Sequence, residues 1–398
     1  MRERWQRTLM ILWCANFCVT MGMSLIIPFL PLYLTQLGVH SDQSVARWSS
    51  WVFSIQFVTS FIFQPIWGAF ADKHGRKLML LRAGFGMGIM TACMGLVNAP
   101  WELLLLRFVN GVFSGFIAMA ISLQASVTPA DKAGRALGTL QTGGIAGSLI
   151  GPLIGGVLSE AFGFRGCFYF TGAMLIVASV IVILFVHEDP AVPKERAKRA
   201  GSWRDLIQLW PVFLGSFMTQ LAMMSIEPIV TIFTKEIYSG PHLSIIAGLV
   251  VATSGIANLI GTPTLGRLSD RFGQQRILVI AMTGAAIAFI PQALSHNLVV
   301  LLLGRFLLGL FIGGMLPSLQ VLVRKLAPSE MQATAFGMNS SATFCGNLVG
   351  PLIGGSVAAA YGIRCVFYVT MALMFANAIT VSINRKALTP KVVESKSA

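Results

Sequence analysis

The sequence predicts an all-α integral membrane protein, with twelve transmembrane helices arranged as two pseudo-symmetric six-helix bundles. Three observations predict this. Of the 398 residues, 55% are hydrophobic and only 11% charged, with a mean hydropathy of +0.75. A soluble domain carries about 25% charged residues, whereas a helix in lipid satisfies its own backbone and tolerates such a composition. Second, the chain holds twelve apolar runs, each near the roughly 20 residues that a bilayer core requires. Third, its two halves repeat one another.

The runs cover 8–34, 47–71, 77–97, 101–125, 134–160, 166–187, 207–235, 243–268, 276–294, 298–324, 333–359 and 364–384. The first follows Arg2, Arg4 and Arg7 as a signal peptide would. It continues to Leu34, beyond the 7–15 residues of a secretory apolar segment, and is an uncleaved span. The one long polar connection, EDPAVPKERAKRAGSWR, separates six runs from six. The expected organisation is therefore an N-terminal bundle over 1–187, a cytoplasmic linker over 188–206, and a C-terminal bundle with a short cytoplasmic tail over 207–398.

Lys and Arg placement sets the orientation. With the N-terminus inside, 23 of the 29 basic residues fall on the inner side, and only Arg47, Arg165, Lys235 and Arg364 fall outside. Arg107 and Arg305 lie within spans. Both termini are expected in the cytoplasm. The net charge of +14 is dispersed over short loops rather than gathered into a face, which argues against nucleic acid. The six cysteines form no CxxC pair and the five histidines sit in loops or at helix ends, so no metal site is expected.

The repeat is specific. Arg107-Phe108, Gly111, Phe113 and Gly115 recur 198 residues later as Arg305-Phe306, Gly309, Phe311 and Gly313. GPLIGG at 151–156 recurs at 350–355, and GAFADKHGRK at 68–77 has a worn counterpart in GRLSDRFGQQ at 266–275. Six spans separate equivalent positions, so the halves share one orientation, as in two bundles related by an axis along the membrane normal. A cleft between two such bundles is the physical basis of alternating access.

Several residues stand out on chemical grounds. In GAFADKHGRK, Gly75 allows a tight reversal and Asp72 is placed to meet a cation or a helix N-terminus. Gly144, Gly147, Gly151 and Gly155 share one helix face, with Gly156 beside them. Small residues let helices approach closely, and Pro152 favours a bend. They describe a tightly packed seam, a hinge between bundles or both. Arg107 shares its face with Asn110, Gly111, Ser114 and Ala118, a small polar face that points inward. By its own chemistry it can be a structural arginine bonded to carbonyls. Glu227 is the one acid well inside a predicted span, and Pro228 behind it predicts a break. Desolvation would favour proton exchange there, unless Glu227 lies nearer the outer surface. Asn16, Met23, Gln56, Phe116, Met119, Gln220, Met223 and Asn258 are candidate cavity residues, polar, aromatic or thioether groups within spans.

GAFADKHGRK resembles the loop signature of the major facilitator superfamily. Gly147-Ser-Leu-Ile-Gly151-Pro152-Leu-Ile-Gly155-Gly156 resembles the fifth-span signature of its drug:proton antiporter branch, and Arg107, Gly111 and Gly115 resemble the fourth-span signature. PFLPLYL at 28–34 and GRALGTLQTGG at 134–144 are similar to the MdtG-type multidrug efflux proteins. The likeness extends over almost the whole chain. It implies the major facilitator fold in a bacterial inner membrane, with a small-molecule substrate and protons as partners. It also implies a monomer without a cofactor, the proton gradient being the energy source. It assigns a charge relay to Asp72 and Arg76, and a proton-coupling or substrate-linked role to Arg107. The second-half loop has Gln274 and Gln275 where the first has Arg76 and Lys77, so a symmetric latch is not expected. The leading expectation is proton-driven export of hydrophobic or cationic compounds. Export of one endogenous metabolite such as a siderophore, which Arg107 and Arg305 would suit, is the alternative, and a transport-dead sensor a weaker one. No catalytic constellation points to an enzyme.

Overall fold

A computed structural model describes residues 4–129, 132–188, 209–327 and 331–384, without the side chains of Asp72, Gln332 and Ala333. Most of the expected linker and the C-terminal tail lie outside the described residues. Thirteen helices make up the described fold, with no strand among the described residues. They are α1 Arg4–Leu25, α2 Leu30–Gln36, α3 Asp42–His74, α4 Arg76–Met94, α5 Pro100–Phe113, α6 Phe116–Val127 and α7 Ala133–Phe185. After the linker come α8 Trp210–Ile237, α9 Leu243–Phe272, α10 Gln274–Ala293, α11 Leu298–Leu326, α12 Gln332–Tyr361 and α13 Ile363–Ile383. Eleven helical stretches are long and apolar enough to cross a membrane. They hold the twelve runs, because α7 is 53 residues long and turns at Gly163 (φ 71°, ψ 170°), joining the fifth and sixth spans without a loop.

Glycines make the sharp corners. Gly75 (φ 94°) separates α3 from α4, and Gly273 (φ 93°) does the same between α9 and α10. Gly163 and Gly362 (φ 90°) form the other equivalent pair. A side chain at such a φ is strained, so the chain reverses where the repeat supplies glycine twice. The fourth span departs from this regularity. It stops at Ser114, passes Gly115 (φ 116°) and restarts as α6. The expected break at Pro228 does not occur. Proline removes one donor, and α8 carries it within one continuous helix.

Two units hold the chain. One comprises 1–195, 227–255 and 351–363, and the other 196–226, 256–350 and 364–398. The first has two apolar cores. Leu12, Val19, Leu80, Phe116 and Leu175 belong to one. Phe29, Tyr33, Val52, Cys167 and Phe168 belong to the other, where Tyr33 Oη donates to the Met94 carbonyl at 3.1 Å. In the second unit Asn377 Nδ2 donates to Gly215 O at 3.1 Å and Thr219 Oγ1 at 3.0 Å, tying α13 to α8.

Candidate functional site

The glycine face of α7 lies directly on the backbone of α1. A Cβ at Gly147 would stand 2.4 Å from Phe17 O, at Gly151 2.5 Å from Met21 O, and at Gly155 2.3 Å from Leu25 O. Such distances exclude any side chain, so glycine here sets the spacing of the two helices. Ser24 Oγ donates to Gly147 O at 3.3 Å across the seam.

The other edge of the same motif meets the second half of the chain. A Cβ at Gly156 would lie 2.7 Å from Ser244 O, and one at Gly248 would lie 2.3 Å from Pro152 O, so α7 and α9 touch backbone to backbone. The repeat places Gly355 of α12 equivalently, its Cβ position 2.8 Å from Ala46 O of α3. Residues 46 and 244 are themselves 198 apart, so the two contacts are pseudo-symmetric mates. A histidine–carboxylate hydrogen bond and an ion pair lie beside them. Glu160 of α7 bonds His242 Nδ1, and its other carboxylate oxygen accepts from Ile245 N at 3.5 Å. Lys235 lies 3.9 Å from Asp42, both exposed. First-half and second-half helices are thus joined at this end.

Arg107 occupies the interior of the first unit. Its Nη1 donates to Gln56 Oε1 at 2.9 Å, and Asn110 Nδ2 reaches the same oxygen at 3.5 Å. Met23, Met87, Thr91, Met94 and Thr171 close around these groups and leave a cavity of about 20 Å³. Arg107 Nε, Asn110 Oδ1 and Thr171 Oγ1 are buried without hydrogen-bond partners. That space suits one water, which has donors and acceptors to meet. Among the described residues no carboxylate pairs with Arg107. It is a cation held by one amide oxygen, that of Gln56.

Sequence reasoning missed two residues. Arg82, counted there with the inner loops, reaches the interruption of the fourth span. It donates to Val112 O at 3.4 Å, Phe113 O at 3.3 Å and Ser114 O at 3.0 Å, and stacks 4.0 Å above Trp67. Trp67 Nε1 also donates to Val112 O, at 2.8 Å. The terminal carbonyls of α5 are therefore satisfied by side chains, as a helix end within lipid requires. Glu188 is the second. Its carboxylate accepts from Arg76 N at 2.9 Å and Lys77 N at 2.7 Å, capping α4 at its positive end. An acid directly after the sixth span, on the side of the GRK turn, was the available signal.

The remaining candidates are dispersed. Asp72 lies in the last turn of α3, its side chain outside the described residues. Arg76 opens α4 beneath Glu188. Met23 and Gln56 share the Arg107 cavity. Phe116 is 1% exposed within the core and Met119 packs against that core. Asn16 Nδ2 donates to Leu140 O at 3.3 Å. In the second unit Gln220 donates to Asn347 at 2.6 Å, Asn258 accepts from Thr262 at 2.8 Å, and Met223 is half-buried. Glu227 is half-buried within α8.

Known proteins resemble this chain along nearly its full length. The Major Facilitator Superfamily model matches residues 12–214 and 212–397. The multidrug resistance protein MdtG of Yersinia enterocolitica is 39% identical over 381 residues, covering 94% of this chain and 92% of that protein. An uncharacterised MFS-type transporter of Bacillus subtilis, YuxJ, is 37% identical over 94% of this chain and 97% of its own. Among solved structures, a bacterial homologue of the human lysosomal transporter Spinster, inward-facing and occupied, superposes with a TM-score of 0.82. It has 15% identity and covers 97% of this chain and 98% of that one. A mutant of the nucleoside transporter NupG superposes with a TM-score of 0.78 at 16% identity, over 96% and 99%.

Proposed function

The chain belongs to the major facilitator superfamily, a multi-pass membrane transporter and not an enzyme, and from that premise we propose that it exports small hydrophobic or cationic compounds in exchange for protons by rocker-switch alternating access. The observation that carries this reading is the 39% identity with a multidrug resistance protein over 94% of the chain. The reading places the protein in a bacterial inner membrane as a monomer, both termini cytoplasmic, with the proton gradient as its energy source and no cofactor.

The joined end supports the rocking part. Small-residue contacts, a histidine–carboxylate hydrogen bond and one exposed ion pair connect the halves there. Exposed ion pairs contribute little to stability, so such a seal separates without unfolding either side. Glu227 is the proposed proton carrier, with Asp72 and Arg76 as the relay at the α3–α4 turn. A second reading has one observation in its favour. Arg107 has one amide partner, Gln56, and no described carboxylate, which suits an anionic cargo such as one endogenous metabolite.

Proteoliposomes with an imposed pH gradient test both readings. Cationic dye flux should follow the gradient in wild type, lose coupling in Glu227→Gln and slow in Asp72→Asn. Gradient-driven flux that persists undiminished in Glu227→Gln removes Glu227 as the carrier. Transport of organic anions but of no cation in the panel selects the second reading.

A further inference from the structure

A groove of about 370 Å³ lies between the first two turns of α1 and the start of α7, wholly within the first unit. Trp5, Leu9 and Met10 supply its apolar wall, while Lys132, Arg135 and Thr139, at helical spacings of three and four, supply the facing one. Met10 is half exposed and Arg135 exposed, so the groove is open to its surroundings. Gln124 Nε2 donates to the Trp5 carbonyl at 3.3 Å, and the Lys132 ammonium lies 5.8 Å above the Trp5 ring. A smaller cavity of about 150 Å³ flanks α1 on another side and adds Arg4, Arg7 and His187.

We propose that the α1–α7 groove is a binding site for an anionic phospholipid of the inner leaflet, its phosphate held by Lys132 and Arg135 and an acyl chain laid along Trp5, Leu9 and Met10. The placement rests on the orientation adopted above, which puts the start of α1 at the cytoplasmic headgroups. The chemistry does not. A free anion has no use for the apolar wall, and a neutral apolar ligand has none for the two cations. A phospholipid uses both, in the way that basic residues beside membrane helices recognise anionic headgroups. Tryptophan at this position is the usual interfacial anchor.

The purified protein in neutral detergent is titrated with phosphatidylglycerol, phosphatidylcholine and inorganic phosphate while its melting temperature is followed. Phosphatidylglycerol should stabilise the wild type more than phosphatidylcholine, and phosphate should not. In Lys132→Gln/Arg135→Gln the half-saturating phosphatidylglycerol concentration should rise about 30-fold, from the ~1 kcal/mol that each basic residue contributes. Lys132→Arg/Arg135→Lys should keep the wild-type value. Phosphatidylcholine acting equally well, phosphate reproducing the shift, or an unchanged titration in the Gln variant each overturns the site. Photoactivatable phosphatidylglycerol on wild-type protein gives a test that needs no variant. Labelling should fall on 5–10 or 132–139, and labelling confined elsewhere overturns the proposal. Micelles expose both ends, so a C-terminal tail labelled from the periplasm would defeat the orientation and leave the lipid result standing.

Discussion

The fourth and tenth spans descend from one repeated sequence and have different shapes. Arg107, Gly111, Phe113 and Gly115 of the fourth align with Arg305, Gly309, Phe311 and Gly313 of the tenth. The fourth is interrupted at Ser114–Gly115, yet α11 runs unbroken from Leu298 to Leu326. The difference lies in the neighbours rather than in the spans. At the fourth, Arg82 and Trp67 reach across to the carbonyls of 112–114. Their counterparts 198 residues on are Ile280 and Leu265, which have no donors in their side chains. Without donors a helix within lipid must bond its own carbonyls. Ile280 is 54% exposed, and Leu265 packs where a Cβ of Gly314 would fall. One arginine and one tryptophan thus allow the first half a bend that the second half lacks.

The sharpest way to break this account is at the donor. Arg82→Met removes the guanidinium bonds to three carbonyls; Val112 O keeps the Trp67 indole, and Phe113 O and Ser114 O lose their side-chain donor. A buried unsatisfied group costs about 1–3 kcal/mol, so the loss should exceed ~2 kcal/mol in a detergent melt. Lysine should rescue only in part, because a point charge does not reproduce the fork that meets several carbonyls. Ile280→Met should cost under about 1 kcal/mol, as volume-conserving exchanges do. Equal losses at 82 and 280 would end the comparison.

A second test uses the two aligned glycines. At Gly115 nothing lies within 4 Å of a new Cβ, and the obstacle is the φ of 116°. At Gly313 the backbone is helical, and a new Cβ would stand 2.5 Å from Thr262 N. Gly313→Ala should therefore cost about 2 kcal/mol through overpacking. Gly115→Ala should cost about 1–2 kcal/mol through strain. Asparagine tolerates the left-handed region better than alanine, so the order of Ala and Asn should reverse between the sites. Melting temperatures of the four variants decide it, and the same order at both would mean that one cause operates twice.

Much of the fold was legible from composition and repetition. The twelve runs all fall on helices, though not one to a helix: the first and the fourth are each split in two, and the fifth and sixth share α7. The corners at Gly75, Gly163, Gly273 and Gly362 fall where the motifs repeat. The glycine face of α7 was legible as a packing seam, though not its partners, since spacing identifies a face and not what meets it. The role of Arg82 was hidden for the same reason, since it acts on main-chain groups 30 or more residues distant, whereas the place of Glu188 directly after the sixth span was a signal left unread. Pro228 misled because one missing donor does not end a helix supported on both sides. Phe116, aromatic and mid-span, is indistinguishable in sequence from a cavity residue and packs into the core instead.

The smallest expected effect separates the Arg107 region from its counterpart. Gln56 aligns with Ser254, whose hydroxyl bonds the Val251 carbonyl of its own helix, at 2.9 Å. Gln56 instead holds Arg107 from across the bundle. Gln56→Met keeps the volume and removes the acceptor. The adjoining cavity of about 20 Å³ has room for a water to replace it, so stability should fall by only about 1 kcal/mol. The guanidinium, no longer held by the amide, should re-aim, and gradient-driven flux should fall several-fold with the melting temperature nearly unchanged. Ser254→Ala forfeits a bond within one helix, of the kind that contributes little or slightly destabilises, and should leave both readings near wild type. Flux that is equally insensitive to both changes would make Arg107 a structural arginine, with its twin Arg305 a better place to look for cargo.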